Sequence, residues 1–207
     1  MKYFLVLWLN VFLFFAFSQR LGAQNQDTII SNTNTLPFLK NYGAKNKETW
    51  VEVSTKFGNF RMRLYQDTPL YRASFIYLTK MGYFSTSDVD RIAPNFIIQM
   101  GDSDNPACIN MRYKFKNYLL PAHFLHKHKQ YAVAAARSWD NNPKKKSSPF
   151  EFYVVLNKLG AHHLDKEHTV FGEVISGFKT LKIIEQQKYG RDEWPLQDIR
   201  IKVKIIK

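Results

Sequence analysis

Three short stretches hold the side chains best able to do chemistry. The first reads Arg91-Ile92-Ala93-Pro94-Asn95-Phe96-Ile97-Ile98-Gln99-Met100-Gly101-Asp102. The second is Phe150-Glu151-Phe152-Tyr153-Val154-Val155, and the third His163-Leu164-Asp165-Lys166-Glu167-His168-Thr169-Val170-Phe171-Gly172. Together they offer a guanidinium, apolar rings, an amide and imidazoles. A guanidinium stays charged and presents planar, directional donors. Apolar side chains can enclose an apolar ring, and Gln99 can bond a peptide group. This is chemistry for holding and polarising an amide. Each residue alone has a plainer reading. Arg91 alone is a surface arginine, Phe96 and Tyr153 are strand core, Gln99 carries no signal, and His168 is a satisfied structural histidine.

Other chemistries find less support. The single cysteine, Cys108, excludes an intramolecular disulfide framework and a cysteine-rich zinc site. His123, His126 and His128 lack a nearby carboxylate or cysteine set, so they read as a polar loop and no metal site is assigned. Arg112-Tyr113-Lys114-Phe115-Lys116-Asn117-Tyr118 interleaves basic and aromatic residues as single-strand nucleic-acid binders do. Nucleic acid is not the expected partner. Lys144-Lys145-Lys146 reads as a solvated loop. The formal charge of +13 favours solubility and loose attraction to acidic surfaces, without specifying a partner.

The elements that must position these residues are mostly strands. The chain has 207 residues, 45% apolar and 15% aromatic, which supports a packed core. Val51 and Val53 alternate with polar neighbours, the chain turns at 56–59, and Phe60, Met62 and Leu64 alternate again, which predicts a hairpin. Thr68-Pro69 starts a helix, with a hydroxyl cap followed by proline at the first turn. Tyr71, Phe75 and Leu78 form its apolar stripe, and Gly82 suits its C-terminal end. Strand-like runs follow at 96–99, 131–136, 150–155 and 169–175. Phe178, Leu181 and Ile184 mark a second helix ending near Gly190, and 199–205 alternates as a closing strand. The stretch 102–130 reads as a long loop. Many short strands suggest a closed barrel, which removes exposed edges.

The N-terminus reads as a targeting segment. Lys2 precedes a 15-residue apolar run from Tyr3 to Phe17, broken only by Asn10, and small Gly22 and Ala23 follow. That is the three-part pattern of a secretory signal cut after Ala23, and the run is short for the roughly 20 residues of a membrane-spanning helix. Residues 1–23 are therefore expected to be a signal peptide. Losing Lys2 and Arg20 takes the charge from +13 to +11. No later segment can span a membrane. Residues 24–48 read as a polar leader or linker, with Leu36-Pro37-Phe38-Leu39 docking locally. Residues 49–207 read as one domain.

The three stretches, in this order, resemble the cyclophilin-type peptidyl-prolyl cis-trans isomerases. The first resembles the family's signature of an arginine, a phenylalanine five residues on, a glutamine after two more, then Gly-Asp. The second resembles its aromatic strand and the third its Leu-Asp-Gly-x-His-x-Val-Phe-Gly segment. The resemblance covers roughly 51–207 and implies a mainly β fold, a closed eight-stranded antiparallel barrel capped by two α-helices. With the leader, it implies an exported, bacterial-like member, periplasmic or secreted.

By this resemblance Arg91 is the catalytic residue. Phe96, Ile97, Tyr153 and Leu164 form the proline pocket. Gln99 bonds the peptide and orients Arg91. His168 lines one wall and donates a hydrogen bond. Ala135 and Ala136 lie on the strand along which substrate backbone runs. His163 stands at the rim, where many relatives carry tryptophan. A prolyl amide rotates over a barrier of roughly 18–20 kcal/mol set by C–N resonance. No bond breaks, so no nucleophile, metal or redox cofactor is required. A site that binds the twisted amide better than the planar one speeds the rotation. A donor to the prolyl nitrogen does this.

The chain also departs from the family pattern. Met100 stands in place of a glycine and threatens to crowd the turn. Val89 and Asp90 stand in place of the usual phenylalanine and histidine, and Asp90 is expected to pair with Arg91. Asn95 and Lys166 each replace a glycine; Asn95 tolerates a left-handed backbone. Two functions follow. The first is a monomeric foldase acting on X-Pro bonds of unfolded or partly folded exported polypeptides. The second is a non-catalytic proline-peptide binding module in the cell envelope.

Overall fold

The computed structural model describes residue 30, residues 34–116 and residues 118–207. The signal peptide expected at 1–23 lies outside the described residues. Among the described residues no helix is long and apolar enough to cross a membrane.

Eight antiparallel strands form one curled sheet: β1 (Trp50–Thr55), β2 (Gly58–Leu64), β3 (Asp88–Ala93), β4 (Ile97–Asp102), β5 (Ala132–Ala135), β6 (Phe152–Val155), β7 (Val170–Ser176) and β8 (Lys202–Ile205). Their order across the sheet is β3-β4-β6-β5-β7-β2-β1-β8. The edge strands β3 and β8 share no ladder. The edges meet at a single bridge, Asp88 to Arg200, flanked by hydrogen bonds Val89 N–H to Ile199 O and Ile201 N–H to Ser87 O. The sheet is thus a curled half-barrel, not the closed barrel expected. Ile199 and Ile201 are buried as their alternation requires, but the regular strand begins only at Lys202 and there pairs with β1.

Among the described residues four helices accompany the sheet, two more than expected: α1 (Thr35–Lys45), α2 (Pro69–Lys80), α3 (Pro106–Lys114) and α4 (Phe178–Glu185). Pro69 sits at the first turn of α2, as the sequence suggests. The Thr68 hydroxyl, however, donates to the Tyr65 carbonyl and does not cap the helix. Gly82 follows α2 in the left-handed conformation. Helix α4 ends at Glu185, short of Gly190.

Helix α1 lies in the segment read as a leader. Its Leu39 is buried, and Phe38 and Tyr42 pack their rings against Tyr77 of α2. A side chain at Gly43 would meet Ala73 of α2, with a Cβ 2.9 Å from that methyl, so glycine permits the close approach. Helix α3 lies in the stretch read as a loop. The Asn105 side chain accepts from the Ala107 N–H and caps it.

Successive strand residues face opposite sides, and this sorts the apolar residues into two clusters. Ile98, Met100, Phe152, Val154 and Val133 join the main core, with Phe60, Met62 and α2's Phe75. Ile97, Tyr153, Val155, Ala132, Ala134 and Ala136 join a smaller cluster on the other face, with Leu164 and Phe96. Met100 is fully buried in the main core, so it crowds no turn. The position that demands glycine is Gly101, with φ 115° and no room for a Cβ beside the Phe150 carbonyl.

Candidate active site

The smaller cluster is the floor of the site, and strand register assembles it. Arg91 on β3 lies opposite Gln99 on β4, Gln99 lies opposite Tyr153 on β6, and Tyr153 lies opposite Ala134 on β5. Directly opposed residues share a face. One row across four strands therefore carries a guanidinium, an amide, a phenol ring and a methyl group. The turn before β4 adds Phe96, whose ring lies 6.0 Å from the Arg91 guanidinium carbon. Phe96 stacks on the exposed ring of His163, with centroids 5.4 Å apart. His163 belongs to a short 3-10 turn, His162–Leu164, that also lays Leu164 on the apolar floor. His168 faces Tyr153 edge-on at 5.6 Å.

Two backbone positions make these turns possible. Asn95 and Lys166 hold positive φ, at 57° and 63°, where glycine is the usual occupant. The strain is of order 1–2 kcal/mol for an L side chain, less for asparagine.

The polar contacts differ from the sequence expectation. Arg91 pairs with Glu193, not with Asp90: its Nε donates to Glu193 Oε2 at 2.5 Å. Glu193 reaches the site from the 190–195 loop, which is fixed by Ile92 N–H to Glu193 O and by Gly190 N–H to Trp194 O. Gln99 does not orient Arg91. Its Nε2 donates to Asp90 Oδ2 at 2.9 Å, because Asp90 lies buried beside it. Burial, reinforced by the Glu151 carboxylate, pushes Asp90 up to about 7.

His168 is buried, and burial pulls it down to about 4, so its ring is neutral near neutral pH. Nδ1 lies 3.2 Å from the Ala135 carbonyl. A carbonyl only accepts, so Nδ1 carries the proton and Nε2 is left as an acceptor. The hydrogen bond that His168 was expected to donate into the site is thus committed to Ala135. The Ala135 methyl faces the main core, away from the site, while the Ala136 methyl lies on the site's floor. Their backbone groups are bonded within the fold: Ala135 N–H to Thr169 O, Ala136 N–H to Glu151 O, and Ser148 N–H to Ala136 O.

Beneath the floor, Tyr153 is anchored by a histidine read as part of a polar loop. His128 is fully buried. Its Nδ1 lies 3.0 Å from Asp165 Oδ1 and its Nε2 3.0 Å from the Tyr153 hydroxyl. Burial depresses His128, so the neutral ring donates to Asp165 and accepts from Tyr153. Burial also raises the Tyr153 hydroxyl well above the ordinary tyrosine range. Sequence reasoning missed Glu193, His128 and Asp165 as supports of the site. Among the described residues no group of three His, Cys, Asp or Glu side chains is placed to hold a metal.

The family described as cyclophilin type peptidyl-prolyl cis-trans isomerase/CLD matches residues 50–205. A peptidyl-prolyl cis-trans isomerase of Helicobacter pylori is 26% identical over 157 residues, covering 73% of this chain and 91% of that protein. Peptidyl-prolyl cis-trans isomerase-like 2 of Rhizopus delemar is 28% identical over 169 residues, covering 78% of this chain but only 29% of that protein. The crystal structure of a cyclophilin type peptidyl-prolyl cis-trans isomerase from Cryptosporidium parvum superposes with a TM-score of 0.65 at 20% identity, covering 77% of this chain and 98% of that one. A second structure of that protein, in the presence of the dipeptide Ala-Pro, gives a TM-score of 0.63. With a curled antiparallel sheet, an arginine set in a row beside an apolar floor, and a family match across 50–205, this chain belongs to the cyclophilin-type peptidyl-prolyl cis-trans isomerases.

Proposed function

We propose that this isomerase acts on X-Pro bonds of unfolded or partly folded polypeptides after export, as a monomer in the periplasm or outside the cell. The observation that carries the chemistry is the placement of Arg91. Its Nε is tied to Glu193, and its guanidinium borders the Phe96 ring and the row that leads to Gln99 and Tyr153. A proline ring seated on Phe96, Ile97, Tyr153 and Leu164 brings its nitrogen toward the Nη groups of Arg91. As the amide twists, resonance is lost and the nitrogen regains its lone pair. A hydrogen bond to that lone pair exists only in the twisted form, so it lowers the barrier without tightening ground-state binding. Gln99, anchored through Asp90, is placed to bond the substrate backbone. Neutral His168 offers an acceptor at Nε2. No group need gain or lose a proton.

The export reading rests on Lys2, the apolar run and Ala23. Two measurements test the proposal. Exchange NMR on a proline peptide reads isomerisation directly, and the catalysed rate should rise in proportion to added protein. Peptide binding without catalysed exchange would leave only a binding module. N-terminal sequencing of the protein recovered from the cell exterior or periplasm should start at Gln24. Recovery with Met1 intact would overturn the cleavage claim.

A further inference from the structure

The loop after β5 holds out an indole that nothing in the mechanism uses. Trp139 is 61% exposed. It is nevertheless firmly held. The Arg137 guanidinium carbon lies 4.0 Å from the centre of its ring. That arginine side chain is only 3% exposed, and its donors are spent on main-chain and carboxylate oxygens. Nε donates to Glu167 O and Nη2 to Glu167 Oε2, both at 2.7 Å, and Nη1 donates to Ser138 O at 3.1 Å. Lys145 binds the other Glu167 oxygen at 2.5 Å, and these contacts hold the Glu167 carboxyl below its ordinary range. The loop is braced again where the Asn142 side chain donates to the carbonyls of Ser138 and Lys146.

This framework sets Trp139 beside the site. The indole meets His168 edge-on with centroids 5.3 Å apart, and His168 meets Tyr153 at 5.6 Å. The aromatic run Tyr153–His168–Trp139 therefore starts on the proline floor and ends in solvent. A rigid, exposed indole costs little conformational entropy when it binds and offers a large apolar face. One face is covered by Arg137; the rest is open beyond the edge of the proline floor.

We propose that Trp139 is a substrate-contacting residue that stacks on the side chain flanking the substrate proline and selects for aromatic residues there. The inference rests on the isomerase reading of the same site. An aromatic flanking ring meets the indole's open face. A glycine-flanked proline reaches only the floor and Arg91.

The test compares peptides by exchange NMR on the full chain. Ala-Phe-Pro-Ala and Ala-Ala-Pro-Phe place an aromatic residue before or after proline; Ala-Gly-Pro-Ala and Ala-Ala-Pro-Gly are their partners. The wild type should prefer one phenylalanine peptide over its glycine partner in kcat/KM. Trp139→Ala should shrink that preference about fivefold to tenfold, the scale of an aromatic stacking contact, and Trp139→Phe should retain most of it. The preferred peptide should also change the tryptophan fluorescence of the wild type more than that of Trp139→Phe, which keeps Trp50 and Trp194. Turnover with the same preference in Trp139→Ala, in a protein that melts normally, would overturn the contact and leave the isomerase reading standing. Fluorescence change without turnover would do the reverse. Neither turnover nor binding in the wild type would remove both.

Discussion

At the scale of single residues, the proposed mechanism separates the group that would meet the substrate from the groups that hold it. On that mechanism Arg91→Ala removes the donor to the prolyl nitrogen. Catalysed exchange should fall by about a hundredfold to a thousandfold, the effect of deleting one preorganised donor at a developing charge. Peptide affinity and melting temperature should change little, because the apolar floor is intact. Normal exchange in a folded Arg91→Ala protein would remove Arg91 from the mechanism. Glu193 acts one step back. Its pair with Arg91 joins two side chains 38% and 37% exposed, so it adds little to stability. Its effect is on aim. Glu193→Ala should lower kcat by roughly threefold to tenfold at nearly constant KM, on the scale of lost orientation. Glu193→Gln, which keeps an acceptor for Nε, should recover most of the rate. Equal losses in both variants would make Glu193 a structural residue only. Arg91, Phe96, Ile97, Gln99, Tyr153, His163, Leu164 and His168 were legible because they sit within short stretches of distinctive spacing. Glu193, His128 and Trp139 were not. Each is a single residue in a loop, and only strand register and loop closure bring it to the site.

At the scale of elements, the least legible part of the fold has a clear physical support. Arg72 on α2 is buried, and its guanidinium donates to three carbonyls at and beyond the end of α1: Gly43 at 2.9 Å, Asn46 at 2.5 Å and Glu48 at 3.4 Å. The last carbonyls of a helix have no partner within it, so Arg72 both caps α1 and joins it to α2. Arg72→Met keeps the apolar stem and removes the donors. A hydrogen bond to a charged group contributes about 1.5–3 kcal/mol. A loss of about 2–3 kcal/mol should lower the melting temperature by roughly 5–10 °C in a chain of this size. Amide exchange should show α1 opening first; an unchanged melt with α1 still protected would refute this. The strands β1 and β2 were readable because apolar residues alternate along them, and β6 and β7 because they are short, mostly apolar runs. Strand β3 was not, because Asp88 and Asp90 occupy buried positions that hydropathy assigns to apolar residues. Asp88 is satisfied there by Ser103 and Arg200, and Asp90 by Gln99. Helix α1 was hidden by Pro37 and Gly43, whose cost is offset by packing on α2. Helix α3 did carry a signal: Asn105-Pro106 repeats the cap-then-proline pattern that marks α2 at Thr68-Pro69.

At the scale of the whole molecule, two buried groups pull stability in opposite directions across the same pH window. Asp90 is raised from 3.8 to about 7 by burial and by Glu151, with Asp102 adding to the effect and Gln99 opposing it. The folded state therefore holds this proton more tightly than the unfolded chain does. Between about pH 4 and 7, Asp90 makes stability fall as pH rises. His168 is lowered from 6.5 to about 4 by burial, aided by Arg137 and His128 and opposed by the Ala135 carbonyl and Glu167. The folded state resists protonating it. Between about pH 6.5 and 4, His168 makes stability fall as pH falls, and buried His128 acts in the same sense. Each group can contribute a slope of at most about 1.4 kcal/mol per pH unit. Glu48 and Asp165, both held below their ordinary values, act at the acid end of this window and below it. The wild type should therefore show a shallow profile from pH 4.5 to 6.5, with the two slopes opposed. Asp90→Asn removes one of them, so its stability should climb with pH more steeply than the wild type's. His168→Gln removes part of the other and leaves that of His128, so its stability should climb with pH less than the wild type's. Urea unfolding midpoints at pH 4.5, 5.5 and 6.5 measure all three. An Asp90→Asn profile parallel to the wild type's would show that Asp90 titrates as it does in the unfolded chain, and that Gln99 and the Asp102 backbone suffice to keep it charged beneath the site.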